Sequence, residues 1–410
     1  MTSNRFLQQR FSIRNLICFL VAFIALMDSF VMWNDPLVGK LINYGLKFLN
    51  LFALFYLLQH NVAKKYIWAI LIIPFSWVLW EEESLLSSLQ YVFSATVPIM
   101  TFLLLKDEEQ LSVVKSFLKI WFVLFIIGLP IYALLLTGLN IPHIDYIRDS
   151  DQRLYQNYFF LYYAQGNVLY RFSSVWDEPG VVGTMAAIVV LYYRNLLTKR
   201  QYYIFLLCGL LSVSLFYCVL IGPILYFSNL RTLNFVKKVR KVVTFSLVVI
   251  LGYFTLVQLA LATKEDPVLS FAVYHRFEWS GNWITGLVDN RTTDDINTAV
   301  KTDLDIFDFL FGKGKGATME EFGADGLSLN VMLYNKGILI VAYILLIYIL
   351  MHNWRKQLLF SIFSILFIFL TFYQRPMLYK IDYFIVFYVG IRLGNRFLEN
   401  ENNTSYPVAV

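Results

Sequence analysis

Apolar runs long enough to cross a membrane recur along the whole chain and constrain its fold more than any other feature. The first, "LICFLVAFIALMDSFVMW" at 16–33, is followed by many others. A hydrocarbon layer about 30 Å thick needs roughly 20 apolar residues in helical form. Inside it, backbone polar groups must be satisfied within the segment, so runs of this length read as helices. Composition agrees: 58% of residues are hydrophobic and 15% charged, whereas soluble domains carry about a quarter charged residues. The 18% aromatic content suits helix rims at headgroup depth. The expected class is an all-α integral membrane protein with about twelve transmembrane helices.

The basic start "MTSNRFLQQRFSIRN" precedes the first run without a small-x-small cleavage site, so that run reads as a retained helix. Cys18, Cys208 and Cys218 all lie in apolar runs, which leaves neither a disulfide framework nor a metal cluster. The net charge of +6 needs no nucleic-acid partner, because basic residues beside helix ends are what the positive-inside rule predicts.

That rule makes "RFLQQRFSIR", "NVAKKY", "YYRNLLTKRQYY", "RTLNFVKKVRK" and "HNWRKQ" cytoplasmic, and the acidic "WEEES" and "WNDP" external. Helices are expected near 15–33, 39–59, 66–80, 85–105, 117–137, 180–197, 202–214, 216–229, 241–262, 327–350, 357–373 and 381–396. Residues 202–229 are long for one tilted span and short for two; basic flanks on both sides favour a hairpin of short helices. The chain divides into N-terminal helices (1–137), a first large loop (138–179), central helices with the hairpin (180–262), a second large loop (263–326), and C-terminal helices with a tail (327–410). Both termini then face the cytoplasm and both large loops the outside.

Charged residues gather on that outer side. "YRFSSVWDEPGVVGTM" brings Arg171, Asp177 and Glu178 to the mouth of an apolar segment, with Pro179 at a first-turn position. One reading is a helix rim with acids at the positive helix end; the other is a site for a charged substrate. "YHRFEWSGNW" adds His275 and Arg276, and "LFGKGKG" sets Lys313 and Lys315 among three glycines, so that amides and ammonium groups can approach an anion. Asp325 stands at the mouth of a helix that carries Asn330, Asn335 and Lys336 within it, and polar groups there usually face a cavity. Arg375, before Pro376, runs against the positive-inside trend, so it calls for a partner or an anionic ligand. Guanidinium groups bind phosphate bidentately and stay charged. Arg171, Arg276, Arg375, Lys313 and Lys315 are therefore candidate diphosphate ligands, and Asp177, Glu178, Asp325 and His275 candidate acid–base groups.

"RFSSVWDEPGVVGTMAAIVV", then "HRFEWSGNWITGL", "FDFLFGKGKG" and "ADGLSLNVMLYNKGIL", resemble in kind and order the segments of Wzy-type O-antigen and capsular polysaccharide polymerases. The resemblance covers about 170–345 and implies a glycosyltransferase C-like fold with two large periplasmic loops in a bacterial inner membrane. It implies transfer of a growing glycan from undecaprenyl diphosphate to the non-reducing end of a new lipid-linked repeat unit. No cofactor or metal is expected. The expected partners are the lipid-linked oligosaccharide, the bilayer and a chain-length-regulating co-polymerase. The resemblance gives most weight to Arg171, Glu178, Arg276 and Asp325. Related ligases carry a His where this chain has Asp325, which favours polymerase over ligase. A flippase for the same lipid-linked sugars is the alternative from another class.

Overall fold

A computed structural model describes residues 13–34, 36–60, 92–147, 154–165, 171–214, 294–314, 316–323, 328–352, 354 and 358–403, with scattered positions between 217 and 265. The expected helices at 66–80, 216–229 and 241–262 lie wholly or largely outside these residues. The described chain is predominantly helical: α1 (Ile13–Ser29), α2 (Val31–Asn34), α3 (Leu37–His60), α4 (Val97–Leu104), α5 (Asp107–Leu136), α6 (Pro179–Tyr193), α7 (Lys199–Leu211), α8 (Asp294–Thr302), α9 (Ile306–Phe311), α10 (Ala317–Phe322), α11 (Leu329–Leu350), α12 (Leu358–Gln374) and α13 (Ile381–Asn403). Three of them, α3, α5 and α11, are long and apolar enough to cross a membrane. This is consistent with a membrane protein.

α5 begins ten residues before the expected position 117. Three acids, Asp107, Glu108 and Glu109, occupy its first turn, where they favour the positive helix end. The Glu109 carboxylate accepts the Lys106 backbone N–H at 2.7 Å. Polar residues here extend a helix that hydropathy alone would cut short.

α6 is the centre of the bundle. It is apolar all round, and every residue but Leu191 is buried, the pattern of a helix enclosed by others. It packs against α7 and α13, while α1 packs against α5, α3 and α13. Small residues allow close approaches. A Cβ on Gly183 would lie 2.7 Å from the Ser214 Cβ, and one on Gly390 would lie 2.6 Å from Tyr192. At the end of the bundle formed by the start of α1, Arg14 pairs with Glu109 and Arg392 with Asp107, at 2.9 and 2.8 Å.

The all-α expectation is corrected in the first loop, which contains a three-stranded antiparallel sheet: β1 (Ile144–Ile147), β2 (Leu154–Tyr158) and β3 (Tyr162–Gln165). Aromatic and β-branched residues fit a pleated surface, and "LYQNYFFLYYAQ" is rich in tyrosine. The turn joining β2 to β3 uses no glycine. Phe159 and Phe160 both adopt positive φ, 57° and 60°, and Leu161 N–H donates to Tyr158 O at 3.1 Å. These are the dihedrals of a type I′ turn, normally built from Asn and Gly. The Asn157 side chain accepts the Phe160 N–H at 2.8 Å, and the Trp33 indole donates to the Phe160 carbonyl at 2.8 Å. A left-handed position costs a non-glycine residue about 1 kcal/mol or more. Because Phe159 is 63% exposed, Phe159→Asn removes strain with little loss of packing. Thermal unfolding in detergent should show a gain of about 1 kcal/mol.

Candidate functional site

Residues 171–178 form an arm that lies on the helices rather than a free loop. Arg171 Nε donates to the Ser212 carbonyl at 3.0 Å, and Phe172 N–H to the Leu211 carbonyl at 2.9 Å, so the arm caps the end of α7. Ser173 Oγ donates to Tyr163 O at 2.5 Å, and Tyr163 N–H to Ser174 O at 2.7 Å, tying the arm to β3. Ser174 is buried with φ of 52°, an unfavourable backbone state held by its surroundings. Trp176 fills an aromatic socket, with ring centroids 5.0 Å from Phe30, 5.4 Å from Trp121 and 5.7 Å from Phe125. Its indole faces Ser29 Oγ at 3.3 Å. The two residues that follow are thereby fixed in place.

Glu178 is the N-cap of α6 and Pro179 its first residue, as the sequence suggests. Its side chain makes no capping hydrogen bond. The carboxylate instead pairs with the Arg375 guanidinium, 197 positions along the chain. Arg375 closes α12, its N–H donating to Thr371 O at 2.8 Å. Its side chain is 2% exposed, against 39% for Glu178. A buried, permanently charged guanidinium is thus paired with one accessible carboxylate.

Beside this pair is a cavity of about 210 Å³, lined by Asp28, Ser29, Trp176, Asp177, Val181, Arg375, Met377, Lys380, Asp382 and Tyr383. Asp28 is held by Lys47 Nζ at 2.9 Å and by Asn43 Nδ2 at 2.9 Å. Asp382, in the first turn of α13, is 2% exposed. The sequence-expected Asp177, Glu178 and Arg375 therefore come together, while Arg171 is directed to the end of α7. Asp28, Lys47, Lys380 and Asp382 are additions. A signal existed for two of them: an acid and a lysine within apolar runs, "FIALMDSFVMW" and "NYGLKFLN", are costly unless they serve a purpose.

The glycine-rich turn has a different employment. α11 is broken at Gly337, with φ 75° and ψ 170°. The Lys313 and Gly314 amides donate to the carbonyls of Tyr334 and Asn335 beside the break, at 2.9 and 3.1 Å. Gly312 and Gly337 face each other backbone to backbone. Added Cβ atoms would lie 2.4 Å from Lys336 N and 2.3 Å from Leu310 O, respectively. These two amides, expected to cradle an anion, are spent on the helix break. The Lys313 ammonium donates to Tyr334 Oη at 2.7 Å and lies 3.4 Å from Glu321. The Tyr334 hydroxyl above all, with Glu321, holds its pKa above the ordinary lysine range. Asn335 bonds Thr318 through both ends of its amide, at 3.0 and 3.1 Å, and Asn330 donates to Asn297 at 2.7 Å. Both asparagines join the second loop to α11. His275, Arg276, Lys315 and Asp325 lie outside the described residues.

Chemically, the cavity offers carboxylates of unequal environment, one buried guanidinium, one lysine, and aromatic walls. Acids can take or give a proton, and a guanidinium stabilises negative charge as it develops. Among the described residues, no group of three or more His, Cys, Asp or Glu side chains converges as metal ligands would. No protein-family model, no curated protein and no solved structure matches this chain.

Proposed function

We propose that this chain is a surface-polysaccharide polymerase of the inner membrane, joining undecaprenyl diphosphate-linked repeat units on the periplasmic face. The observation that carries the reading is the buried Arg375 guanidinium paired with the accessible Glu178 carboxylate, beside Asp177 and at the edge of a cavity between helix ends. About twelve spans, with both termini cytoplasmic, would put this end of the bundle outside. In the reaction, an acceptor hydroxyl attacks the anomeric carbon of the donor glycan and gives its proton to a carboxylate. The bond from that carbon to the diphosphate oxygen breaks, and undecaprenyl diphosphate leaves with the electron pair. Arg375 is the proposed group that stabilises this charge more in the transition state than in the ground state. Arg171, Arg276, Lys313 and Lys315 are the further diphosphate candidates. Asp177 and Glu178 are the acid–base candidates at the cavity; Asp325 and His275 are those on the second loop.

The test uses cells lacking the chain and complemented with variants. Wild type should restore long surface glycan. Arg375→Ala and Asp177→Asn should leave single repeat units while the protein remains in the membrane. Removing one charged stabilising group commonly costs about a hundredfold or more in rate. Normal chain length in both variants would remove the cavity from the reaction.

A further inference from the structure

We propose that the cavity between α1, α6 and α13 is a subsite for one neutral sugar ring, held by Asp382 and Arg375. Its lining includes two buried polar atoms, Asp382 Oδ1, an acceptor, and Arg375 Nε, a donor, that have no hydrogen-bond partner among the described residues; the Tyr383 hydroxyl is a third buried polar group in the wall. Asp382 and Arg375 are almost wholly enclosed, at 2% and 1% exposure. Buried polar groups left unmet cost folding free energy, so a ligand that meets both is favoured.

The two atoms restrict that ligand's chemistry. A bare anion filling the cavity would satisfy Arg375 Nε but would face the carboxylates of Asp382 and Asp177; the diphosphate of the proposed reaction would instead meet Arg375 at the cavity's edge, beside Glu178. A bare cation would satisfy Asp382 but would face Arg375 and Lys380. A polyol ring does both, with one hydroxyl donating to Asp382 Oδ1 and one oxygen accepting from Arg375 Nε. Arg375 has five N–H donors and keeps its bond to Glu178 while doing so. The remaining wall is aromatic, from Trp176 and Tyr383, apolar faces of the kind sugar rings lie against. Asp28 already has Lys47 and Asn43 as partners, so it contributes shape and field more than a free acceptor. The subsite follows from these atoms; it rests on the polymerase reading only for which glycan delivers the ring.

The experiment uses the full-length chain in nanodiscs. Probes are the methyl glycosides of glucose, galactose, N-acetylglucosamine and rhamnose, with inorganic diphosphate as the competing anion. Binding is read by tryptophan emission, since Trp176 forms one wall. At least one glycoside should bind saturably at millimolar concentration, and Asp382→Asn should weaken it about tenfold or more. In parallel, a diazirine-bearing glycoside on the wild-type protein should label peptides containing Trp176 or residues 377–383, independently of whether any variant folds. Binding of diphosphate alone, labelling elsewhere, or glycoside binding unchanged in Asp382→Asn would overturn the subsite. Glycoside binding without polymerisation of lipid-linked units would keep the subsite and remove the polymerase reading.

Discussion

Gly337→Ala should unfold the junction between the second loop and α11, and it is the substitution with the largest expected effect on stability. At φ 75° and ψ 170° the residue occupies a region open essentially to glycine. The added Cβ would stand 2.3 Å from the Leu310 carbonyl oxygen and 2.5 Å from the Phe311 carbonyl carbon. Neither neighbour is a flexible side chain, so the backbone must part. Backbone strain alone costs about 1–3 kcal/mol, and the clash should carry the total to roughly 4 kcal/mol or more. Gly312→Ala, with φ 82° and Lys336 N at 2.4 Å, should behave alike. Because both glycines serve one contact, the double variant should cost less than the two single costs added together. Thermal unfolding, with proteolysis of the 294–323 segment, reads all three. A Gly337→Ala protein as stable as wild type would mean that the helix break is not locked as described.

The second large effect is an asymmetry in the Arg375–Glu178 pair. Removing Glu178 leaves a guanidinium at 2% exposure without its carboxylate, whereas removing Arg375 leaves a carboxylate at 39% exposure that water can solvate. Breaking a buried pair costs about 3–5 kcal/mol when the stranded charge stays buried. Glu178→Ala should therefore destabilise the protein by roughly 3 kcal/mol, lessened by the nearby Asp177. Arg375→Met, which fills similar volume, should be clearly milder. Activity should not follow stability: both variants should lose polymerisation. Equal destabilisation by the two would contradict the burial difference, and retained activity in Arg375→Met would remove Arg375 from the chemistry.

Legibility in the sequence varied with how local the cause was. Among the described residues, the long apolar helices could be read because hydropathy is local; even so, α5 began early, since its acidic first turn carries no hydropathy signal. The hairpin at Phe159–Phe160 escaped because its turn lacks the Gly or Asn that mark a type I′ loop, and its strands sit between apolar helices. Asp177, Glu178 and Arg375 could be flagged one by one as charges at the ends of apolar segments. Their meeting could not be flagged, because 197 positions separate Glu178 from Arg375. Lys313 and its glycines could be seen as a turn rich in amides. The consumers of two of those amides, the Tyr334 and Asn335 carbonyls, become visible only once α11 is known to break at Gly337. Asp28 and Lys47 were legible in principle. They are opposite charges in consecutive apolar runs, and such charges pair or serve a site.

Polymerisation is tested with purified full-length protein in lipid, undecaprenyl diphosphate-linked repeat units of the native host, and no nucleotide. Products are separated by chain length. Wild-type protein should give a ladder of lengths with release of undecaprenyl diphosphate, both abolished by Arg375→Ala. Repeat units that remain single with wild-type protein would contradict the polymerase reading, as would a ladder that Arg375→Ala leaves unchanged for the role of the cavity.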